Sequence, residues 1–327
     1  MKQNEVSSGS FQDLRQDIEV ITKDIEIKTG FKSSKIFQKS HYWKGNKFGA
    51  FFTKGIYQNK SANLKVQLAK LNNSEVDFIS EFKKHNQSKI IRPPHLYAFL
   101  RWDDKLKYEA LILEDIESKP IIKVPCNQKE INIFFEIYQE YKRNCLIPWL
   151  DKPDISIPKA IENRFFKWKK IRQDQFPKYP FFNSNDEKLI EKAISVLIDK
   201  YKNIDWVFAH GHFGHKDIYP VNNQFILLSN LFWSWRAPFY DAVFAHNWFL
   251  CELSKFSSEK ILEQNKLWLN KIYQQSTDQK LINLALLERA TARLNLDAFT
   301  CNPKNISTEF IFELTHQQIK TLIKDLK

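Results

Sequence analysis

The feature that most restricts the fold is a change of period part-way along the chain. Up to about Glu114 the apolar residues come in short, broken runs. "KFGAFFTKGIY" and "NLKVQLAKL" are joined by the polar turn "QNKSA", a pattern that predicts strands. "IIRPPHLYAFLRWDDKLKYEALILEDI" predicts two more, with "WDDK" as the turn between them. Two stretches here have the helical step instead. Residues 11–28 place Leu14, Ile18, Ile21 and Ile25 on one face, and "SEVDFISEFKKHN" does the same with Val76, Ile79 and Phe82, with Ser74 as N-cap. From Glu117 on, helical spacing dominates, in "NQKEINIFFEIYQEYKRN", "PKAIENRFFKWKKIRQ", "NDEKLIEKAISVLIDKYKN" and most of 253–327. One β island interrupts it, the hairpin "DIYPV", "NNQ", "FILLS". The order predicts an α+β protein of two lobes, a β-rich lobe over 1–116 and a mainly helical lobe over 117–327. A cleft between such lobes is where a ligand is expected.

Composition narrows the functional classes. The longest apolar run, "FILLSNLF", falls far short of the roughly 20 residues of a membrane span, and the first twenty residues lack an apolar signal core. A cytoplasmic protein with no membrane partner is expected. Cys126, Cys145, Cys251 and Cys301 lie far apart with no CxxC pair, so buried free thiols are expected rather than a zinc ribbon or redox dithiol. The net charge of +12 favours an anionic small molecule such as a nucleotide. Its lysines are scattered, with no Arg-rich run or RNP-like strand, so nucleic acid is not the expected partner.

The stretch "WVFAHGHFGHKDIYPV" holds His210, His212 and His215. One reading is a metal-dependent hydrolase, because "AHGHFGH" is similar to the HxHxDH motif of metallo-β-lactamase-fold enzymes, and imidazoles suit zinc. Here Gly214 stands where that motif has Asp. That fold also needs glycine-rich loops and later ligands, whereas this chain has seven glycines, none after Gly214, and only His246 and His316 downstream.

A second reading uses most of the chain. Residues 45–250 resemble the aminoglycoside phosphotransferase-like small-molecule kinases, whose catalytic loop HGDxxxxN precedes a hairpin, an Asp and a "PxYDLA" element. Here the loop reads His210-Gly211-His212, with Asp217 five positions on. The hairpin follows, then "SNLFWSWRAPFYDAV", in which Pro238, Tyr240 and Asp241 match the last element. The resemblance implies a two-lobed protein-kinase-like fold, with ATP or another nucleotide and Mg²⁺ as cofactors. It places Lys65 where a strand lysine holds ATP phosphates and Glu75, with Glu81 as fallback, where that lysine has its ion-pair partner. "YEALILEDI", with Glu114, resembles the hinge that binds adenine. The phosphate-covering loop has only Gly45 and Gly49.

The departures bear on activity. Phosphoryl transfer needs a carboxylate at the acceptor hydroxyl and oxygen ligands for Mg²⁺. The base position holds His212. The Asn ligand position holds Asp217, and the second metal Asp falls on Ser229, with Asn230 beside it. A rival register, "HKDIYPVN", would make Asp217 the base and Asn222 the ligand. The expectation is a nucleotide-binding, pseudokinase-type protein. The alternative is an active phosphotransferase using Asp217 with His212 as base. An aminoglycoside acceptor fits poorly, since a polycation needs an acidic pocket and this chain is basic. Each residue also has an ordinary explanation: Lys65 as an edge-strand lysine, Glu75 as a solvated helix charge, His210 and Asp241 as ties for the loop backbone, and Trp233, Trp235 and Trp248 as core.

Overall fold

The computed structural model describes residues 11–39, 49–68 and 70–326, with the side chains of all but 11–17 and 39 among them. The chain divides into two compact units, Met1–Lys84 with Pro93–Ser118, and His85–Arg92 with Lys119–Lys327.

The first unit opens with helix α1 (Phe11–Thr29) and strands β1 (Lys32–Lys39), β2 (Ala50–Tyr57) and β3 (Lys60–Gln67), followed by α2 (Glu75–His85). After the two-residue β4 (Ile91–Arg92) come β5 (Leu96–Asp103) and β6 (Tyr108–Glu114). An antiparallel sheet of order β1-β2-β3-β6-β5 results. The β2–β3 connection is tighter than the sequence suggests. Only Gln58 and Asn59 lie outside the strands, both with positive φ, the two-residue turn whose twist matches a hairpin. The "WDDK" turn is shifted likewise, to residues 104–107. β1 has no clear signature in the sequence, because a bulge between Ser33 and Phe37 breaks its alternation.

Alternation decides what each sheet face meets. Ala62, Leu64 and Val66 of β3 point to a core shared with Ile21, Ile25 and Phe31, so α1 covers that face. Leu111 of β6 points the other way, to Val76 and Ile79 of α2. Lys65, between Leu64 and Val66, is therefore on the α2 face. Ser74 caps α2, its Oγ accepting from Val76 N at 3.1 Å. Tyr108 Oη and Lys28 Nζ both bind Asp24, at 2.5 and 2.7 Å, and this tethers α1 to the sheet.

The second unit is mainly helical: α3 (Gln128–Asn144), α4 (Ile157–Gln175), α5 (Ser184–Lys200), α6 (Tyr240–Glu252), α7 (Ser258–Tyr273), α8 (Gln279–Asn295) and α9 (Thr308–Asp325). Asn127 and Asn183 start α3 and α5 with capping boxes. α8 is buried along almost its whole length, Glu288, Arg289 and Arg293 included, which obliges its charges to find partners. The predicted hairpin is β8 (Ile218–Val221) and β9 (Gln224–Leu227), and β4 joins it in parallel through β9. Beside it β7 (Val207–Ala209) pairs with β10 (Ser234–Arg236). These three-residue strands are too short to leave a periodic signal. The four cysteines are free and buried. No described helix is long and apolar enough to cross a membrane.

Candidate functional site

The loop between β7 and β8 carries the motif, and a buried carboxylate shapes it. Asp241, in the first turn of α6, accepts from His210 N and Gly211 N, each at 2.9 Å, and from Tyr141 Oη at 2.7 Å. Tyr141 Oη in turn accepts from His210 N at 2.6 Å. Burial pushes the Asp241 carboxyl up, and the Tyr141 hydrogen bond, Arg236 and the two backbone donors oppose it. Gly211 turns the chain at φ +73°, and a Cβ there would lie 2.5 Å from Phe232 O. Only glycine fits.

Downstream, His212, Asp217 and Ser229 come together. His212 Nδ1 lies 3.0 Å from Asp217 Oδ2, and Ser229 Oγ donates to Asp217 Oδ1 at 2.6 Å. Burial raises the Asp217 carboxyl, but the charge and hydrogen bond of His212, with the Ser229 hydroxyl, outweigh it and hold Asp217 below its usual value. The His212 ring stacks on Phe232, centroids 4.6 Å apart, and leans on Phe244 at 4.7 Å. Its Nε2 has no partner among the described residues. A neutral ring donating Nδ1–H to Asp217 carries its lone pair there. Gly214 makes the cluster possible, since a Cβ on it would lie 2.2 Å from Asp217 Oδ2.

The three histidines diverge. His210 is fully buried edge-on to Trp233, with neither ring nitrogen hydrogen-bonded. Burial drives its pKa down to about 3; the nearby backbone of His212 and Leu228 favours the charged form without closing a bond of normal geometry. His215 turns to Glu252, Nε2 to Oε1 3.2 Å. Among the described residues no group of three or more His, Cys, Asp and Glu is placed to hold a metal ion. The rival register fares no better. Asn222 is in the hairpin turn at the far end of β8 from Asp217, and a strand advances roughly 3.3 Å per residue, too far apart for a base and a metal ligand to act on one phosphoryl group. Asn230 also needs correcting as a metal ligand: it is buried, its Nδ2 donating to Leu227 O and its Oδ1 accepting from Trp233 Nε1.

In the first unit, Lys65 and Glu75 form an ion pair, with side chains 16% and 8% exposed. Glu81 instead lies 3.5 Å from Lys84. Lys65 sits on a central strand rather than a sheet edge, its ammonium 5.9 Å from the Phe52 ring. Glu114, at the end of β6, is joined to His95: its Oε1 accepts from His95 N at 2.6 Å and its N donates to His95 O at 2.9 Å. Gly45 lies outside the described residues. The sequence reading missed Tyr141, Gly214, Phe232 and Phe244. Gly214 alone left a signal, as the last glycine of a glycine-poor chain.

Comparison with solved structures identifies the architecture. The apo form of a thermostable mutant of aminoglycoside phosphotransferase APH(4)-Ia superposes with a TM-score of 0.58 at 9% identity, over 93% of this chain and 98% of that one. Choline kinase from Cryptosporidium parvum Iowa II gives 0.54 at 13%, over 94% and 97%. Spectinomycin phosphotransferase APH(9)-Ia, solved with ADP and spectinomycin, gives 0.53 at 10%, over 93% and 98%. This is the protein-kinase-like fold of the aminoglycoside phosphotransferases. No protein-family model matches the sequence, and no curated protein matches it by sequence.

With that fold, the donors present can be tested against Mg²⁺. One buried carboxylate, Asp217, with the Ser229 hydroxyl fits a single ion that keeps its remaining ligands from water or phosphate. It does not fit two ions, each of which needs carboxylate or amide oxygens.

Proposed function

We propose that this chain binds a nucleotide and is a pseudokinase-type member of the phosphotransferase fold, with phosphoryl transfer slow or lost. Lys65, held by Glu75, would meet the phosphates, Asp217 with Ser229 would hold one Mg²⁺, and the β6 end at Glu114 would mark the adenine side. Bound Mg²⁺ would neutralise phosphate charge. The observation that carries the reading is the make-up of the loop cluster: its one carboxylate, Asp217, already accepts from His212 and Ser229. The nucleotide is supported by the Lys65–Glu75 pair and by ADP in the APH(4)-Ia and spectinomycin phosphotransferase structures.

ATP affinity with and without Mg²⁺, and phosphate release, test it. The reading expects Mg²⁺-dependent binding that Asp217→Ala weakens, with turnover at background. The double change His212→Asp with Ser229→Asp should strengthen Mg²⁺-dependent binding more than either alone, because base and metal act as a unit.

One observation favours a second reading. His212 Nε2 is free while Nδ1 is held by Asp217, the arrangement of a general base oriented by a carboxylate. Robust turnover that is lost in both His212→Ala and Asp217→Ala would replace the degenerate reading with an active small-molecule kinase.

A further inference from the structure

Beside the His212 loop lies a guanidinium with nothing to bind. Arg236, the last residue of β10, has a fully buried Nε with no hydrogen-bond partner. Its two Nη groups also make no hydrogen bond or ion pair among the described residues, yet they keep some solvent access. Other arginines of the same unit are met by oxygen: Arg164 by Glu288 at 2.8 Å, Arg172 by Glu187 at 2.5 Å, Arg289 by Asp297 at 2.7 Å, and Arg293 by Thr315 at 2.7 Å.

The surroundings concentrate positive charge. The guanidiniums of Arg236, Arg289 and Arg164 lie 5.1, 5.4 and 5.8 Å from the ring of Tyr240. The last two are paired with Asp297 and Glu288, whereas Arg236 has the Tyr240 ring but no carboxylate in direct contact. Asp241 is the remaining nearby carboxylate, and its oxygens are taken by Tyr141 and the two loop amides. Burial pulls the Arg236 pKa down and the like charge of Arg164 adds to this, while Tyr240, Asp241 and Glu288 support the charge. A guanidinium held this way has its planar fork of donors in place for an oxyanion.

Its position is specific. Arg236 Nε and Ser234 Oγ each lie 3.1 Å from the point a Cβ on Gly211 would occupy, against the turn that leads into His212. We propose that Arg236 is an oxyanion subsite next to the His212 loop, taking a phosphate or carboxylate group of the small molecule presented there; Ser234, whose hydroxyl donates to Phe232 O at 2.8 Å, borders it without donating to the anion. The subsite rests on the proposed function only for the identity of that molecule. Where the oxyanion is the acceptor's, the acceptor is an anion, opposite in charge to an aminoglycoside. The same oxyanion could also be the terminal phosphate of the nucleotide.

Inorganic phosphate titrated into the whole protein, read by calorimetry and melting temperature, is the first test. Arg236→Gln should weaken phosphate binding at least tenfold, the scale of lost charge-assisted hydrogen bonds, and leave ADP binding unchanged. Equal phosphate binding in the wild type and a folded Arg236→Gln protein overturns the subsite. So does an absence of phosphate binding by the wild type, which makes Arg236 a distant counter-charge to Asp241. Should Arg236→Gln not fold, the wild type still decides: an arginine-specific dicarbonyl should modify the peptide carrying Arg236, and phosphate should protect it. No protection overturns the proposal. Protection by Mg²⁺-ATP but not by Mg²⁺-ADP assigns the oxyanion to the nucleotide, and protection by phosphate alone assigns it to the acceptor. Failure of the nucleotide reading appears separately, as ADP that does not bind while phosphate still does.

Discussion

The two units treat their charged clusters differently. In the first, Lys65 and Glu75 are borne by a central strand and a capped helix, and pair an ammonium directly with a carboxylate. In the second, the loop carboxylate Asp217 is paired with an imidazole and a hydroxyl rather than with an ammonium or guanidinium. The first arrangement offers an ammonium suited to meeting phosphate. The second is suited to proton traffic and poorly suited to holding two metal ions. On the proposed reading, the departure from a working kinase lies in the helical unit.

Acid should separate the units most. His210 and His246 of the second unit are buried, with pKa values of about 3, whereas the described histidine of the first, His95, is exposed. Burial is the main cause, and for His246 the Arg293 charge adds to it. A base whose folded pKa is depressed contributes stability that is full above the unfolded value, about 6.5, and declines as pH falls towards the folded value. Each histidine should therefore cost roughly 1.4 kcal/mol per pH unit over that window. Asp217, depressed as an acid, adds nothing there. Its contribution is present above the unfolded carboxylate value, about 3.9, and is lost only as pH falls through its lower folded value. Urea unfolding at pH 7, 5.5 and 4.5 should show an early loss of the helical unit, and His210→Phe should remove about half of the slope. An unchanged slope in that variant would mean His210 takes up its proton without unfolding.

Next in size is Asp241→Ala, which strands two loop amides and the Tyr141 hydroxyl. The cost should be about 3 kcal/mol, the scale of buried donors left without partners. Glu75→Ala, in a largely buried pair whose lysine still reaches solvent, should cost about 2 kcal/mol. Chemical denaturation of both variants checks the contrast. Equal costs would make the Lys65–Glu75 pair as structural as the Asp241 hub.

Much of this was legible in the sequence. Period change gave the α+β order, and the resemblance to the family's catalytic-loop pattern singled out His212, Asp217 and Ser229, which do come together. Lys65 and its pairing with Glu75 were implied by the resemblance to the phosphotransferase-like kinases, and the two side chains do meet. The rest depended on contacts that no local pattern records. Tyr141 reaches His210 across 69 residues, and Arg236 is notable for the partner it lacks. The strands β1, β7 and β10 escaped because a bulge or a length of three residues erases the period. Asn230 was misread because adjacency to Ser229 says nothing about which way a side chain turns in a 3₁₀ segment.

A change confined to binding sharpens the comparison further. Lys65→Met keeps the aliphatic stem beside Phe52 and removes the charge. On the proposed reading, ATP affinity should fall roughly tenfold to a hundredfold, about 2 kcal/mol for charge-assisted contacts to phosphate. Stability should change by less. Nucleotide affinity that survives Lys65→Met would leave the first unit's pair without a binding role.

The smallest effect belongs to Ser229, where two opposing terms can be separated. Its backbone has φ +60°, a left-handed conformation that costs a residue with a Cβ roughly 1 kcal/mol relative to glycine. Its Oγ donates to Asp217 Oδ1, a bond to a carboxylate that contributes about 1–2 kcal/mol. Ser229→Ala keeps the strain and loses the bond, so it should destabilise by about 1–2 kcal/mol. Ser229→Gly loses the same bond but relieves the strain, so it should come out close to neutral. Both remove a contact that holds the Asp217 carboxyl down, so the acid limb that Asp217 controls should move to higher pH in both variants equally. Denaturation midpoints and their pH dependence measure the two terms independently. If alanine and glycine destabilise alike, the strain term is absent. If neither shifts the acid limb, His212 alone sets the charge of Asp217, and the cluster is a histidine–carboxylate pair with the serine as a bystander.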